Sequence, residues 1–311
     1  MMLMEIFLTI LNFLILLIFL LISVAFFTLL ERKFLSYIQL RKGPNKVGLI
    51  GLVQPFNDAI KLFSKEYLLG YLFNYFMFFI SPFMLFLLSL FIWIVIPYNE
   101  LMLNFNYSLL FMFSGLSLTI YFIMMMSWSS NSKYSMLGGL RGMAQVISYE
   151  VSMILIILSI IFLMLSFNFY NLFSYQILLW FIWVLFPLFI MLLVSFLAES
   201  NRSPFDFIEG ESELVSGFNI EYGSSLFALI FLGEYVSIMF CCLILSVMFL
   251  GSLLSYFFFL KMIFLVIVII WVRGVLPRYR YDKLMYLSWK IYLPITLSYL
   301  IFILNYLMFY F

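Results

Sequence analysis

The 311-residue chain contains no histidine, and its only two cysteines, Cys241 and Cys242, are adjacent within an apolar run. These absences exclude a His/Cys metal site, haem or iron–sulfur ligation, a histidine-dependent triad and a disulfide framework, so no metal is expected. Charge is also scarce, at 10% of residues against 67% hydrophobic, which excludes a soluble protein of two ordinary domains. Sixteen basic and fourteen acidic side chains leave a net charge of only +2. That balance lacks the concentrated basic excess a nucleic-acid binder needs to neutralise phosphates. What remains is an integral membrane protein.

A helix needs about 20 apolar residues to cross about 30 Å of hydrocarbon. On that scale the charges divide the chain into eight expected spans, near 6–30, 71–96, 107–127, 143–166, 177–198, 224–250, 257–276 and 284–309. Together they form a single all-α polytopic membrane domain over 1–311. The first run, 25 uncharged residues over 6–30, is too long for a signal-peptide core and has no basic segment before it, so it reads as a retained span. Residues 151–198 carry no charge, which is twice the length of one crossing, and the Asn168, Asn171, Ser174 cluster supplies a turn between two spans. Pro82, Pro187 and Pro294 fall inside expected spans, where a kink is tolerated if neighbours satisfy the freed carbonyls. Phe, Tyr and Met number 41, 21 and 20 while alanine occurs five times, a bias that a compact AT-rich genome such as a mitochondrial one would produce.

Basic residues are distributed unevenly between the two sides. The odd-numbered loops hold seven, two, one and four Lys or Arg, whereas the even-numbered loops hold Lys261 alone, and Lys290 lies early in the last span. By the positive-inside rule the odd loops face the cytoplasm or the mitochondrial matrix and both termini face outward.

Polarity is concentrated in a few places. In loop one, Gln54, Asp58, Lys61 and Lys65 recur at helical spacing opposite Phe56, Ile60, Phe63 and Tyr67, the pattern of an amphipathic interfacial helix. A basic turn over 41–46 precedes it and suits lipid headgroups. Loop five places Glu199, Asp206, Glu209, Glu211, Glu213 and Glu221 beside one base, Arg202, and mixes them with Phe205, Phe207, Leu214, Val215 and Phe218. A segment both charged and greasy is expected to fold against something. Glu150 lies about seven residues into the fourth expected span, roughly 10 Å deep at 1.5 Å per residue, and Glu234 lies at a similar depth in the sixth. A carboxylate at such depth costs about 2.5–3.5 kcal/mol on insertion scales and usually serves ion or proton transfer. A protonated Glu bonding between helices is the structural alternative. Asp58, Glu150, Glu199 and Glu234 all approach the same side of the membrane, where close carboxylates titrate as a group.

These residues lie within two long motifs, GLVQPFNDAIKLFSKE over 51–66 and AESNRSPFDFIEGESELVSGFNIEY over 198–222. Both closely resemble the signature loops of the family of NADH:ubiquinone oxidoreductase chain 1, the membrane subunit that forms the quinone chamber of respiratory complex I. The shorter segments ERK at 31–33, RKGPN at 41–45, GGLR at 138–141 and WVRGVLPRYRYD at 271–282 look like the same family, and the match runs almost end to end. The overall bias is similar to insect mitochondrial versions.

The resemblance implies a multi-pass protein of the mitochondrial inner membrane with both termini toward the intermembrane space. It implies a ubiquinone tunnel between the first, sixth and seventh helices, with Arg32, Arg41, Arg280 and Phe231 along it and Asp206 beside it. It implies a proton path through Asp58, Glu150, Glu199 and Glu234, continued by Glu209, Glu211 and Glu213, and a contact with the hydrophilic arm through Lys42, Lys46, Lys61 and Lys65. Ubiquinone is then a substrate. NADH, FMN and iron–sulfur clusters belong to partner subunits, membrane lipids are further partners, and this chain carries no redox centre. Ser200 and Ser203 stand where Thr is common, and Phe207-Ile208 is bulkier than usual, which bears on quinone preference. An independent antiporter, a purely structural anchor and the related membrane subunit of energy-converting hydrogenases are the rival readings. The first is disfavoured because the acids do not recur at a fixed period and no span centre carries a base; the second does not explain Glu150 or Glu234.

Overall fold

The computed structural model describes residues 2–67, 70–96, 105–177, 179–208, 210, 217–251 and 257–310. Among these the chain is all helix, without a strand. Among the described residues, seven helices are long and apolar enough to cross a membrane. They include α1 (Met2–Ile38), α3 (Tyr75–Phe91, extended by a 3-10 turn), α4 (Ser108–Ser129) and α5 (Lys133–Met164). The others are α9 (Ser224–Leu245), α10 (Phe258–Val275) and the run from α11 (Tyr281–Tyr286) into α12 (Leu293–Tyr310).

The fifth expected span, 177–198, has a different form. In its place come α6 (Phe169–Tyr175), a single turn α7 (Phe181–Val184) and α8 (Phe186–Glu199), which at 14 residues is shorter than a full crossing. The break falls at Leu185, with φ −117° and ψ 37°, and Pro187 occupies the first turn of α8 rather than the middle of a span. Proline is tolerated there because those N–H groups have no partner within the helix. The fourth helix starts earlier than its charges suggested. It runs through Gly138, Gly139 and Gly142, which read locally as loop but permit close packing between membrane helices. A methyl group added at Gly142 would lie 2.4 Å from Ile208 Cδ1, so the bare backbone makes room for loop five.

Pro82 lies within α3, and Pro294 follows a π-helical stretch, Leu287–Tyr292, whose wider turns absorb the missing donor. A second π stretch, Ser246–Leu250, extends α9 and is held by Gln176, whose Nε2 donates to Met248 O at 2.7 Å. The core centres on α9, which packs against α1, α3, α8 and α10. Its most apolar window is 72% buried against 11% for the last span, so α9 is the axis of the bundle and the C-terminal helix its rim.

Candidate functional site: two cavities and a shared arginine

The ends of the odd-numbered loops gather at one end of the bundle. The loop-one helix α2 (Gln54–Phe63) docks on α1 and α9. Its Asp58 accepts from Arg32 of α1 at 2.5 Å and from Gln54 at 3.0 Å. Loop five folds against α5: Phe205, Phe207 and Ile208 are buried, as a greasy acidic loop requires. The fully buried Gln145 donates from Nε2 to Ala198 O at 2.7 Å and to Phe205 O at 2.8 Å. One side chain of α5 therefore caps the end of α8 and pins the turn that carries Arg202. Tyr222 at the far end of loop five stacks on Phe78 at 4.2 Å and lies 3.2 Å from Ser129 Oγ of α4.

Between α1, α2, α9 and α10 lies a partly open cavity of about 540 Å³. One part of its wall is apolar, with Val24, Ala25, Phe227 and Phe231. The rest presents three cations, Arg32, Arg202 and Arg273, and two carboxylates, Glu31 and Asp58. Apolar walls with a few convergent polar groups are the usual make-up of a small-molecule site, within the typical range of about 300–1,000 Å³. Each of the three cations is ion-paired, Arg32 with Asp58, Arg273 with Glu31 and Arg202 with Glu234.

A second cavity, about 60 Å³, lies between α3, α4 and α9. Its wall includes Glu199, Asn201, Glu234, Ser237, Thr119 and Cys241. It is too small for a ring, yet ample for a few waters at roughly 10–15 Å³ each. Among the described residues, the buried Glu199 Oε2 and Asn201 Oδ1 find no protein hydrogen-bond partner. Buried polar atoms in a polar pocket of this size are the kind that water satisfies.

Arg202 joins the two. Its side chain, 8% exposed, lines the larger cavity and pairs through Nη2 with Glu234 Oε2 at 3.2 Å, and Glu234 lines the smaller one. The guanidinium lies 4.7 Å above the Tyr235 ring and 5.8 Å from that of Phe231. A desolvated contact of this kind contributes about 2 kcal/mol. Tyr235 in turn donates its hydroxyl to Glu31 Oε2 at 2.5 Å, and Glu31 Oε1 is paired with Arg273. A continuous chain of polar and ring contacts thus runs Arg273, Glu31, Tyr235, Arg202, Glu234.

Of the expected quinone-site residues, Arg32 and Phe231 line the larger cavity. Arg41 and Arg280 are exposed and stand outside its wall. Asp206 is buried and pairs with Arg278 at 3.1 Å. Of the expected proton-path residues, Glu199 and Glu234 share the small cavity, Asp58 lies in the large one, and Glu150 on α5 is near enough to Glu199 for their charges to interact. Glu209, Glu211 and Glu213 lie outside the described residues. Lys42, Lys46, Lys61 and Lys65 are exposed, and α2 ends at Phe63, so Lys65 and Tyr67 lie beyond it. Glu31, Arg202, Tyr235 and Arg273 carry the link between the cavities without having been assigned a role from sequence. The available signal was Arg202, the one base among the acids of loop five.

A family profile described as NADH dehydrogenase matches residues 11–304. The chain is 57% identical over 290 residues to NADH-ubiquinone oxidoreductase chain 1 of Anopheles gambiae, covering 93% of this chain and 92% of that protein. It is 54% identical over 299 residues to the protein of that name from Locusta migratoria, covering 96% and 95%. The similarity extends to a marsupial, Monodelphis domestica, at 47% over 295 residues, covering 92% and 93%. A chain with these two linked cavities, matched along nearly its whole length, belongs to the NADH dehydrogenase family, among the proteins called NADH-ubiquinone oxidoreductase chain 1.

Proposed function

We propose that this core membrane subunit of NADH:ubiquinone oxidoreductase receives the ubiquinone head in the larger cavity and meets its proton demand through the smaller one. The observation that carries the reading is Arg202, one side chain that lines the first cavity and is ion-paired to a carboxylate of the second. Reduction of the quinone takes two electrons and two protons. The electrons come from iron–sulfur clusters in partner subunits, which also hold FMN and oxidise NADH. Negative charge gained by the head attracts Arg202 and loosens its hold on Glu234. A carboxylate at membrane depth without its cation is costly to keep ionised, so Glu234 takes up a proton. That proton comes from Glu199, which faces the same small cavity and is refilled from Glu150 behind it, and Glu234 releases it to the reduced head as Arg202 returns to its carboxylate; a second round supplies the second proton. Arg32 with Asp58 and Arg273 with Glu31 hold the cavity wall in place. The loop charges set the direction: the arginine-rich end faces the matrix and both termini face the intermembrane space of the mitochondrial inner membrane.

The test is Glu199→Gln in the assembled enzyme, with NADH–quinone turnover and proton transfer measured in the same vesicles. Both fall together if Glu199 feeds the small cavity. Wild-type coupling in this variant would leave Glu199 a merely structural acid and overturn the reading.

A further inference from the structure

Gln145 of α5 is fully buried and lines neither cavity, yet it is tied to the segment that joins them. Its Nε2 donates to Ala198 O at 2.7 Å and to Phe205 O at 2.8 Å. Ala198 lies in the last turn of α8, where carbonyls have no donor within the helix. Phe205 lies beyond the turn that follows. Because both carbonyls converge on one nitrogen, they stand no further apart than the two hydrogen bonds laid end to end. Residues 199–204 are therefore closed into a loop whose neck is a single amide group. Two of its members carry the proposed coupling. Glu199 faces the small cavity, and Arg202 lines the large one while pairing with Glu234 Oε2 at 3.2 Å.

The amide has one workable orientation. Turned the other way, it would set Oε1 against two carbonyl oxygens, acceptor against acceptor. As it stands, Oε1 is buried and finds no protein partner among the described residues. An unpaired buried acceptor lowers stability, and a leucine of similar shape would fill the same space without that penalty. A glutamine here is thus poorly explained by packing and well explained by the two carbonyls it draws together.

We propose that Gln145 is a positioning residue for proton coupling: its two hydrogen bonds close the loop over 199–204 and thereby hold the Arg202 guanidinium against Glu234. The proposal rests on the reading in which that ion pair responds to quinone reduction.

The test is a double-mutant cycle of Gln145→Leu with Arg202→Met, read as NADH–quinone turnover and protons moved per quinone, both normalised to assembled enzyme. Gln145→Leu keeps the approximate shape and removes both donors. Turnover should fall about tenfold, the equivalent of two neutral hydrogen bonds at the modest end of their usual worth. With Arg202→Met already in place, Gln145→Leu should cause no further loss, because the group it positions is gone. Electron cryo-microscopy of Gln145→Leu should show the guanidinium displaced from Glu234. Gln145→Asn keeps the amide but is one methylene too short to reach both carbonyls, and it carries the same test if Gln145→Leu does not assemble. It should lose about threefold, one bond's worth, with the same dependence on Arg202. Losses that multiply in the double variant, or an Arg202–Glu234 pair that stays in place in Gln145→Leu, would overturn the proposal and leave the quinone reading standing. A silent Arg202→Met would instead sink the quinone reading, and the proposal with it.

Discussion

The cavity beside α1 and the cavity beside α4 lie on either side of Arg202, yet they hold about 540 Å³ and about 60 Å³. Volume alone decides what each can carry. The larger admits a ring system and its substituents; the smaller admits water and, with it, a proton. Their walls differ in the same sense. The charges of the larger cavity are matched into pairs, Arg32 with Asp58 and Arg273 with Glu31, which makes a fixed electrostatic frame. In the smaller, Glu199 Oε2 has no protein partner among the described residues, and on the proposed reading it is this unpaired acid that exchanges protons. The two spaces thus differ in size and in wall chemistry, and the Arg202–Glu234 ion pair joins their walls.

Breaking that contact should have the largest effect. Arg202→Met keeps most of the volume and removes the charge that pairs with the half-buried Glu234; breaking one side of a fully buried pair costs about 3–5 kcal/mol, and the partial exposure of Glu234 puts this loss below that range. Turnover per assembled enzyme should fall at least about tenfold, since 1.4 kcal/mol is already a factor of ten. Quinone turnover normalised to subunit content on a native gel checks this, and near-wild-type activity would show that the two cavities communicate by another route.

Filling the small cavity should separate the two functions more cleanly. Ser237→Leu adds two heavy atoms net to a wall enclosing about 60 Å³ and displaces the waters that space would hold. Overpacking of this kind costs about 1–3 kcal/mol of stability. Proton transfer should be lost while the KM for quinone stays near the wild-type value. A reciprocal change in the large cavity, Phe231→Ala, should raise the KM several-fold as one aromatic wall contact is lost, with protons moved per quinone unchanged. An altered proton ratio in Phe231→Ala would mean that the ring also serves the wire, through its contact with Arg202 at 5.8 Å.

The amino-acid sequence exposed one half of this arrangement better than the other. Glu150, Glu199 and Glu234 were legible because an acid in or at the end of an apolar run is conspicuous against its neighbours. Their partners were not, because pairing depends on how distant segments return to one another: Arg202 and Glu234 are 32 positions apart, and Glu31 and Arg273 are 242 apart. Neither separation leaves a periodic trace. Helix existence followed from hydropathy, but boundaries did not. Gly138, Gly139 and Gly142 look like a loop in a local window yet lie in a helix, where bare backbone at Gly139 and Gly142 lets Ser127 and Ile208 approach. Within the uncharged stretch over 151–198, Pro187 marked a kink but not a full break at Leu185, since hydropathy does not register a single residue's φ and ψ.

The smallest effect concerns Tyr235, which touches the shared wall in two ways. Its ring lies 4.7 Å from the Arg202 guanidinium, and its hydroxyl donates to Glu31 at 2.5 Å. Tyr235→Phe removes only the hydroxyl. Glu31 keeps Arg273, and Arg202 keeps a ring beneath it, so the loss is one charge-assisted hydrogen bond of about 1.5–3 kcal/mol gross, softened by the remaining partner. Turnover should fall only a few-fold. Tyr235→Leu, which removes the ring as well, should approach the Arg202→Met phenotype. The order of the two variants carries the information: if Phe is as damaging as Leu, the hydroxyl and not the ring sets the position of Arg202. Tyr235 would then be a member of the proton route rather than its support, and the separation between a rigid substrate frame and a proton-exchanging wall would have to be redrawn along the Glu31–Tyr235 bond.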